Sequence, residues 1–515
     1  MARSNWLLAL VASASACGGG GRGSGSGSGS GSDGGPPDHG ASVLELHAGP
    51  TRAGAYVDPA FTPAAAAALH LDTTFTATYT GAAFAQALYL DRGGPRDLVI
   101  AATEANQVTA FDPTGAVVWR TELGTPQPMP NPAEQADCGD INPLGITGTP
   151  VIDHDSGTLF LDAMIHEDSA AHHRLFALAV DTGAIRPGWP VDVAAALAGG
   201  PTPFVAAAEN QRGGLTVLGG RVYIPYGGHG GDCGHYRGWV VAVPIDRPGG
   251  LTAFPTGSTQ AGAWTPGGVT SDGTSVFAVF GNGNSGSTWA HSEAVLRFGP
   301  GAAFSSSSDD YWAAPNWQEL DQTDKDLAGP AMPLDLPGAT PSALVVAFGK
   351  DGNVYLLARD HLGGIAAPLA QLHAANSEIL NTPAMYRTAR GTYLAFRGQG
   401  ATGCPGLTGA SSLIAVKLAP GNPPQLSLAW CAGNGSAGSP VVTTTDGTSN
   451  PIVWVGGAEG DQRLHGYDGD TGAVVFAGGG AGDAMASTSR FITPMVAKGR
   501  IFVAANGQLY AFTTR

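Results

Sequence analysis

Two glycine-rich loops in the first half of the chain carry side chains that could bind a metal or another ligand. The segment GGHGGDCGHYRGW, at positions 227–239, has a histidine on either side of an aspartate. Imidazole nitrogens and carboxylates are common ligands of zinc, so His229, Asp232 and His235 are compatible with a metal site. Histidines in such loops more often bond to nearby backbone or face solvent, and that interpretation is preferred.

The second loop, QADCGDINPLGITGTPV at positions 135–151, also has a cysteine beside aspartate and glycine. A disulfide between Cys138 and Cys233 would hold the two loops together at one end of the fold. The sequence therefore predicts a ligand-binding face in this region. Its candidate members are Asp140, Asn142, His229, His235 and Arg237.

The number of cysteines fits an oxidising compartment. Apart from Cys17 there are four, which allow three pairings, and their even number favours disulfides. The preferred pairs are Cys138–Cys233 and Cys404–Cys431, the second joining a GCPG loop to the strand SLAWC. Zinc is the alternative, but the close Cys-x-x-Cys spacing typical of structural zinc sites is absent from the sequence.

The elements that must position these loops are short strands joined by tight turns. The chain has 515 residues with 78 Gly and 37 Pro, and only 13% of its residues are charged, which is typical of a turn-rich all-β protein. One hairpin recurs as VTAFDPTGAVVW, LFALAVDTGAIRPGW and LHGYDGDTGAVVF. In its first copy Asp112 is suited to bond the turn backbone, and Gly115 permits a positive φ.

A second signal, a small residue followed by proline and apolar residues, precedes the hairpins. It occurs at Pro150, Pro330, Pro383, Pro440 and Pro494. The last four are separated by 53, 57 and 54 residues, and further units begin near Phe84, Leu215 and Pro266. Eight units of this length, each with four short strands, predict an eight-bladed β-propeller of four-stranded antiparallel blades.

The final unit, from Ile492 to the end, contains only three strands. We expect the segment His70–Tyr79 to supply the missing outer strand, because pairing strands from both ends of the chain removes an exposed sheet edge. One short helix is predicted over Pro59–His70. Glu104 and Asn106 follow an inner strand, where they could face the central channel, although bonding to the turn backbone is the preferred role.

The first residues resemble an export signal. Residues 1–17 combine Arg3, a short apolar stretch and the segment ASAC, which is similar to a bacterial lipoprotein cleavage site with Cys17 as the lipidated residue. An ordinary secretory peptide is the alternative. Residues 18–42 are rich in Gly and Ser and predict a flexible linker, followed by a single propeller domain over 43–515.

The charge of the chain limits its partners. A formal net charge of −16 argues against nucleic acid, whose phosphates require a basic face, and against a broad contact with anionic lipid. We therefore expect either a lipid-anchored protein, with the outer membrane favoured over the inner one and membrane association only through the N-terminal lipid, or a periplasmic or extracellular protein. A protein or glycan partner is expected on the loop face of a monomeric propeller.

With these hairpins identified, the chain from about Ala82 to Arg515 resembles the pyrroloquinoline quinone (PQQ) repeat propellers. Their repeat has the pattern Ala-x-Asp-x-x-Gly followed by a tryptophan, and GYDGDTGAVVF and GKDGNVYLLARD are weaker copies. The first hairpin matches it at Ala110, Asp112, Gly115 and Trp119. The resemblance implies an eight-bladed fold, but the superfamily contains both quinone-dependent alcohol dehydrogenases and propellers without a cofactor.

The dehydrogenases of this superfamily bind calcium and PQQ at the mouth of the channel. The resemblance places Asn284, in FGNGNSG, at a calcium-ligand position, and Lys350, in FGKDGNVYLL, at the position of a lysine that contacts the quinone. A cysteine replaces the glutamate ligand, with Asp232 beside it. The catalytic aspartate would correspond to Asp324 or Asp326. The adjacent-cysteine disulfide of these enzymes is absent from the sequence.

These matches leave two interpretations. The preferred one is an exported, non-catalytic binding or scaffolding module in the cell envelope that needs no cofactor. The alternative is a calcium- and PQQ-dependent dehydrogenase of alcohols or sugars. The loss of a carboxylate ligand favours the first, since calcium requires several hard oxygen ligands.

Overall fold

The computed structural model describes residues 41–134, 136–284, 286–400, 403–405, 412–433 and 438–514. These residues form the predicted all-β, eight-bladed β-propeller, with eight sheets that follow one another along the chain. The predicted signal peptide, Cys17 and nearly all of the predicted linker lie outside the described residues. Within those residues, no helix has the length and apolar character that a membrane span requires.

Blades 1 to 4 each contain four antiparallel strands in chain order. Their bounds are Leu88–Leu90, Leu98–Ala102, Gln107–Phe111 and Val117–Glu122 in blade 1; Val151–Asp153, Thr158–Glu167, Ala170–Ala179 and Val191–Asp192 in blade 2; Thr216–Leu218, Arg221–Gly228, Trp239–Pro244 and Thr252–Pro255 in blade 3; and Thr270–Ser271, Val276–Phe280, Ala294–Phe298 and Tyr311–Ala313 in blade 4. Two short strands are added at the edges, Glu209–Asn210 in blade 3 and Gly364–Ile365 in blade 4.

Blades 5 to 7 repeat the arrangement, with the strand Ala55–Val57 added parallel to the first strand of blade 7, and blade 8 takes only three strands from the C-terminal part of the chain. Their bounds are Leu327–Asp335, Ala343–Gly349, Asn353–Ala358 and Ala370–His373 in blade 5; Ala384–Thr388, Gly391–Arg397, Leu413–Ala419 and Gln425–Ala432 in blade 6; Val441–Thr444, Ile452–Gly456, Leu464–Asp468 and Val474–Phe476 in blade 7; and Met495–Ala497, Arg500–Ala505 and Gln508–Thr513 in blade 8. In each blade we call the first strand in chain order the inner strand.

Blade 8 is closed by the N-terminal region, as the sequence predicts. The short strands His70–Leu71 and Ala77–Thr78 both pair antiparallel with the last strand, Gln508–Thr513. The hydroxyl of Tyr79 adds to this seam by donating a hydrogen bond to the carbonyl of Ala505 at 2.7 Å. The ring therefore has no open edge in this blade.

Helices are few and short among the described residues. The α-helices are Pro63–Ala67, Val193–Ala196 and Trp317–Gln322, and the 3-10 helices are Leu46–Ala48, Pro132–Glu134, Pro248–Gly250 and Ala481–Asp483. The helix predicted over Pro59–His70 is shorter than expected. Thr62 caps its N-terminus by accepting a hydrogen bond from the amide of Ala65 at 3.3 Å, and the chain leaves the helix early to enter the closing strand at His70.

The recurring hairpin connects neighbouring blades. In blade 1, the carboxylate of Asp112 accepts hydrogen bonds from the amides of Thr114 and Ala116, and Gly115 has a φ of 90°. Trp119, on the outer strand, donates its indole N–H to the carbonyl of Val180 in blade 2 at 2.9 Å. The hairpin of one blade thus receives the tryptophan of the blade before it.

The glycine of each receiving hairpin makes room for that tryptophan. A Cβ atom at Gly183 would lie 2.4 Å from the Trp119 ring, and one at Gly472 would lie 2.7 Å from the ring of Trp430. Trp430 likewise donates its indole N–H to Gly469 in the next blade at 2.8 Å. The sequence pattern Asp-x-x-Gly is therefore needed both for the turn and for the contact between blades.

We expect Gly183→Ala to lower the free energy of unfolding by about 2 kcal/mol more than Gly199→Ala does, because overpacking typically costs 1–3 kcal/mol. Both glycines have a positive φ, 70° at Gly183 and 86° at Gly199, so both variants carry backbone strain. Only Gly183 faces a tryptophan, since a Cβ at Gly199 has no atom within 4 Å. Urea denaturation measures the difference in unfolding free energy. Equal losses in the two variants would show that the indole of Trp119 does not exclude a methyl group at position 183.

The segment from Val43 to Val57, which we call the N-terminal plug, lies across the middle of the ring. Its backbone bonds to the inner strands of several blades. The contacts are Val43 with Tyr89 in blade 1, Leu44 with Ile152 in blade 2, Pro50 with Ser271 in blade 4, Ala53 with Met385 in blade 6 and Gly54 with Val442 in blade 7. Because inner strands line the channel, a segment that contacts blades around the ring closes the channel at this level.

A buried arginine holds the plug in place. Arg52 has no exposed surface, and its guanidinium donates to the carbonyls of Leu215 in blade 3 and Val269 in blade 4, both at 2.8 Å. It also pairs with the carboxylate of Glu45 at 2.8 Å, and Thr216 donates to the same carboxylate. The charge is thereby neutralised within the plug itself.

Candidate functional site

A cavity of about 360 Å³ opens at the channel mouth. It is lined by loops from several blades and brings together many of the residues predicted from the sequence. These are Asp140, His229, Asp232, Asp324, Asp326 and Lys350. Asp140 and His229 belong to the predicted ligand face and the other four to the dehydrogenase alternative, so the two sets of candidates share one site.

The remaining candidates of the ligand face lie outside the lining of this cavity. Asn142 and His235 are exposed, and the side-chain oxygen of Asn142 accepts a hydrogen bond from the amide of Met129 at 3.1 Å. Arg237 donates to the carbonyls of Thr256 at 3.0 Å and Gly257 at 2.6 Å. These bonds fix a neighbouring loop.

The predicted disulfide lies beside the cavity. Cys138 and Cys233 are joined, with their Cα atoms 5.7 Å apart, and Cys404 is joined to Cys431. A Cβ at Gly231, in the lining, would lie 3.2 Å from the Cβ of Cys138. The first disulfide therefore shapes one wall of the cavity, whereas the second staples a loop within blade 6.

The histidine of the ligand face is held in a neutral state. His229 is 3% exposed, and its Nε2 lies 2.8 Å from the carbonyl oxygen of Ala207. Burial lowers the pKa of His229 to about 4. Among the described residues, no group of three or more His, Cys, Asp or Glu side chains is placed to hold a metal ion.

The centre of the cavity is a lysine between two aspartates. The Nζ of Lys350 lies 2.5 Å from Asp326 Oδ2 and also pairs with Asp324, while it sits 5.2 Å from the ring centroid of Trp264. Burial alone would lower the pKa of Lys350, but Asp326 and Asp324 outweigh it and raise the pKa. Lys350 is therefore a fixed cation over an aromatic ring.

A buried glutamate that the sequence analysis missed lies next to this group. Glu293 has no exposed surface, and its carboxyl oxygens accept hydrogen bonds from the amides of Asn282 at 2.7 Å and Leu327 at 2.6 Å. Burial and the nearby Asp326 raise its pKa well above the usual value. Burial also raises the pKa of Asp326, to about 6, against the attraction of Lys350.

The position predicted for a calcium ligand differs from the one that faces the cavity. Asn284 is exposed and lies outside the lining, whereas Asn282, two residues earlier, belongs to it. The side-chain amide of Asn282 donates to the hydroxyl of Tyr236 at 3.2 Å, and that hydroxyl donates to Asp232 at 2.6 Å. A phenol hydroxyl thus bridges two candidate metal-binding positions.

These residues do not fit a calcium-bound quinone. Calcium takes about 6–8 oxygen ligands, including carboxylates, but Asp324 and Asp326 are already paired with Lys350 and Asp232 accepts from Tyr236. The ammonium of Lys350 also lies over the ring of Trp264, so that face of the ring is not free to stack a flat cofactor. Each of these three carboxylates is already paired with a protein group.

Comparisons with known proteins bear on the fold. No protein-family model and no curated protein matches the chain. A quinohemoprotein alcohol dehydrogenase from Comamonas testosteroni is similar in structure, with 13% identity, a TM-score of 0.60, and coverage of 93% of this chain and 81% of that one. A europium-containing methanol dehydrogenase has 13% identity, a TM-score of 0.61, and coverage of 92% and 98%. This chain thus shares its β-propeller fold with these two proteins.

Proposed function

We propose that this propeller is an exported, lipid-anchored binding module of the cell envelope. In this proposal its mouth cavity binds the end of a glycan without calcium or quinone. Cys17 is the proposed lipid attachment, which metabolic labelling of the wild type and of Cys17→Ser with a palmitate analogue tests. The observation that carries the binding proposal is the cavity with Lys350 between two aspartates above Trp264.

The size of the cavity supports a small ligand. A volume of about 360 Å³ lies within the range of small-molecule sites, about 300–1,000 Å³. A protein partner would instead need a broad surface that buries about 1,000 Å² or more. A single sugar unit at the end of a glycan fits the smaller space.

The chemistry of the lining supports a ligand rich in hydroxyl groups. Each sugar hydroxyl both donates and accepts hydrogen bonds, and Lys350 with Asp324 offers a donor and acceptors side by side. The Trp264 ring offers an apolar surface for the carbon–hydrogen face of a sugar. Five carboxyl groups and three cations line the cavity, which disfavours an anionic glycan.

We expect Lys350→Met to weaken glycan binding about tenfold or more, since a hydrogen bond to a charged group contributes about 1.5–3 kcal/mol. Asp324→Asn tests the same site with less risk to folding, because the side chain of Asp324 is 72% exposed. Lys325→Met is the matched control, since Lys325 is exposed and outside the lining. Screening the full chain on a glycan array, followed by calorimetry of the best ligand, gives the affinities.

An assay of the purified wild type distinguishes the binding proposal from the dehydrogenase alternative. Adding calcium and PQQ to the purified wild type, with alcohols or sugars and a redox dye, is expected to give no dye reduction. Dye reduction that Lys350→Met abolishes would replace the binding proposal by the enzyme. The absence of any ligand on the array, or equal affinities for Lys350→Met and Lys325→Met, would remove the proposal of a glycan at this cavity.

A further inference from the structure

A second, smaller chamber lies deeper in the channel, between the mouth cavity and the N-terminal plug. Its volume is about 20 Å³, and Leu46 of the plug forms part of its wall. Arg212 lines both this chamber and the mouth cavity, so its side chain stands between them. A space of this size is sufficient for one water-sized particle.

Threonine hydroxyls surround the chamber. The residues are Thr147, Thr149, Thr382 and Thr493, contributed by blades on different sides of the ring. Three of them directly precede the repeated prolines, so the signal that begins a blade also places a hydroxyl beside the channel. Thr382 has no exposed surface, and its Oγ1 has no hydrogen-bond partner among the described residues.

The guanidinium of Arg212 makes no hydrogen bond or ion pair with any residue that the structure describes. Burial lowers its pKa, yet an arginine side chain stays protonated in proteins. The charged groups that act on it are Asp140, Glu104, Asp232 and Arg490. Asp140 is paired with Arg490 at 3.1 Å, and burial raises the pKa of Glu104 to about 7, so neither fully neutralises Arg212.

Arg212 is half-buried between the two cavities, and a cation without an ion pair beside the buried, unpartnered hydroxyl of Thr382 is stabilised by a counter-ion. We propose that Arg212 and the threonine hydroxyls bind one small monatomic anion of the chloride class. The Thr382 hydroxyl can rotate its hydrogen toward an anion, and the guanidinium supplies the charge. The site lies behind the proposed glycan cavity and does not depend on it.

Bromide, which replaces chloride and scatters X-rays anomalously, is the probe. Crystals of the full chain grown without halide and soaked in bromide are expected to show one anomalous peak within hydrogen-bond distance of the Arg212 guanidinium and of Thr382 Oγ1. In solution, chloride is expected to raise the Tm in a saturable way at constant ionic strength, with gluconate as the balancing salt.

Variants identify the residues responsible. Arg212→Gln is expected to abolish the chloride-dependent shift in Tm, and Thr382→Val, which keeps the shape of the side chain, to weaken the halide at least severalfold. Arg96→Gln is the control, because Arg96 is exposed, lies outside both cavities and bonds through its side chain only to the carbonyl of Arg92. Arg96→Gln is expected to retain the shift.

Two results would overturn this proposal. One is the absence of anomalous density in the chamber, together with an equal response of the protein's Tm to chloride and to gluconate. That result would mean that water fills the chamber. The other is a saturable response to acetate with none to halide, which would assign Arg212 to a carboxylate entering from the mouth cavity. Neither result changes what the glycan array measures. The proposed function can therefore still be tested if the anion proposal fails.

Discussion

Replacing Arg52 by methionine is expected to lower the free energy of unfolding by about 4 kcal/mol, since breaking a buried ion pair by removing one partner typically costs 3–5 kcal/mol. Methionine keeps the unbranched shape of the side chain but has no charge and no donor. Glu45, buried beside it, would lose its partner, and the carbonyls of Leu215 and Val269 would lose their donors. Those losses fall where the plug meets blades 3 and 4.

Two comparisons make the test of Arg52 specific. Arg96→Met, which removes an exposed arginine whose side chain bonds only to the carbonyl of Arg92, is expected to change stability by less than about 0.5 kcal/mol. The double variant Glu45→Gln with Arg52→Met is expected to recover part of the loss, because it removes the uncompensated carboxylate. Equal unfolding free energies for Arg52→Met and Arg96→Met in urea would show that the plug does not stabilise the ring.

The repeated parts of this fold could be predicted because their signals are local. The turn at Asp112 and Gly115 uses only neighbouring residues, and the spacing of the prolines counts the blades. The closing strands were predicted for a similar reason, since a final unit with three strands requires a fourth from elsewhere. The segment His70–Tyr79 supplies it.

The plug could not be predicted because its partners are distant in the sequence and its own pattern has no period. Arg52 bonds to carbonyls more than 160 residues away. Every residue type has a backbone carbonyl, so the sequence does not indicate which carbonyls accept these bonds. Only the isolated Arg52 in a segment of low charge was available as a signal.

The site was predicted in part for a related reason. Asp326 and Lys350 could be found by resemblance, whereas Tyr236, Trp264 and Glu293 come to the cavity from loops whose geometry the sequence does not specify. The asparagine facing the cavity is Asn282, two residues before the position that the motif indicated. The pattern Gly-x-Gly-Asn indicated Asn284, and only the backbone path shows that Asn282 is the one that faces the cavity.

Glu104 was a candidate for the channel, and the structure buries it with 1% of its surface exposed. One carboxyl oxygen accepts a hydrogen bond from the amide of Gly145 at 2.6 Å, and the other has no partner among the described residues. Burial raises the pKa of Glu104 from 4.5 to about 7, although Gly145 and Arg212 act to lower it. The folded protein therefore holds this proton more tightly than the unfolded chain does.

The second large effect follows from that proton. Because the folded pKa of Glu104 is raised, its favourable contribution is complete below pH 4.5 and is lost as the pH rises toward 7. At about 1.4 kcal/mol for each unit of pKa shift, the loss approaches about 3 kcal/mol. Glu104→Gln keeps the neutral shape at every pH, so this variant is expected to match the wild type at pH 5 and to exceed its stability by up to that amount at pH 8.

Urea denaturation of both proteins between pH 5 and pH 8 measures this difference. Other buried acids, such as Glu209 and Glu293, also favour the proton in the folded state, but they titrate in both proteins and cancel from the comparison. Glu319→Gln, at an exposed helical position, is expected to leave the pH dependence unchanged. Parallel plots of unfolding free energy against pH for the wild type and Glu104→Gln would mean that Glu104 is ionised in the folded protein. Arg212 would then have a full counter-charge, and the reason for an anion beside Arg212 would be removed.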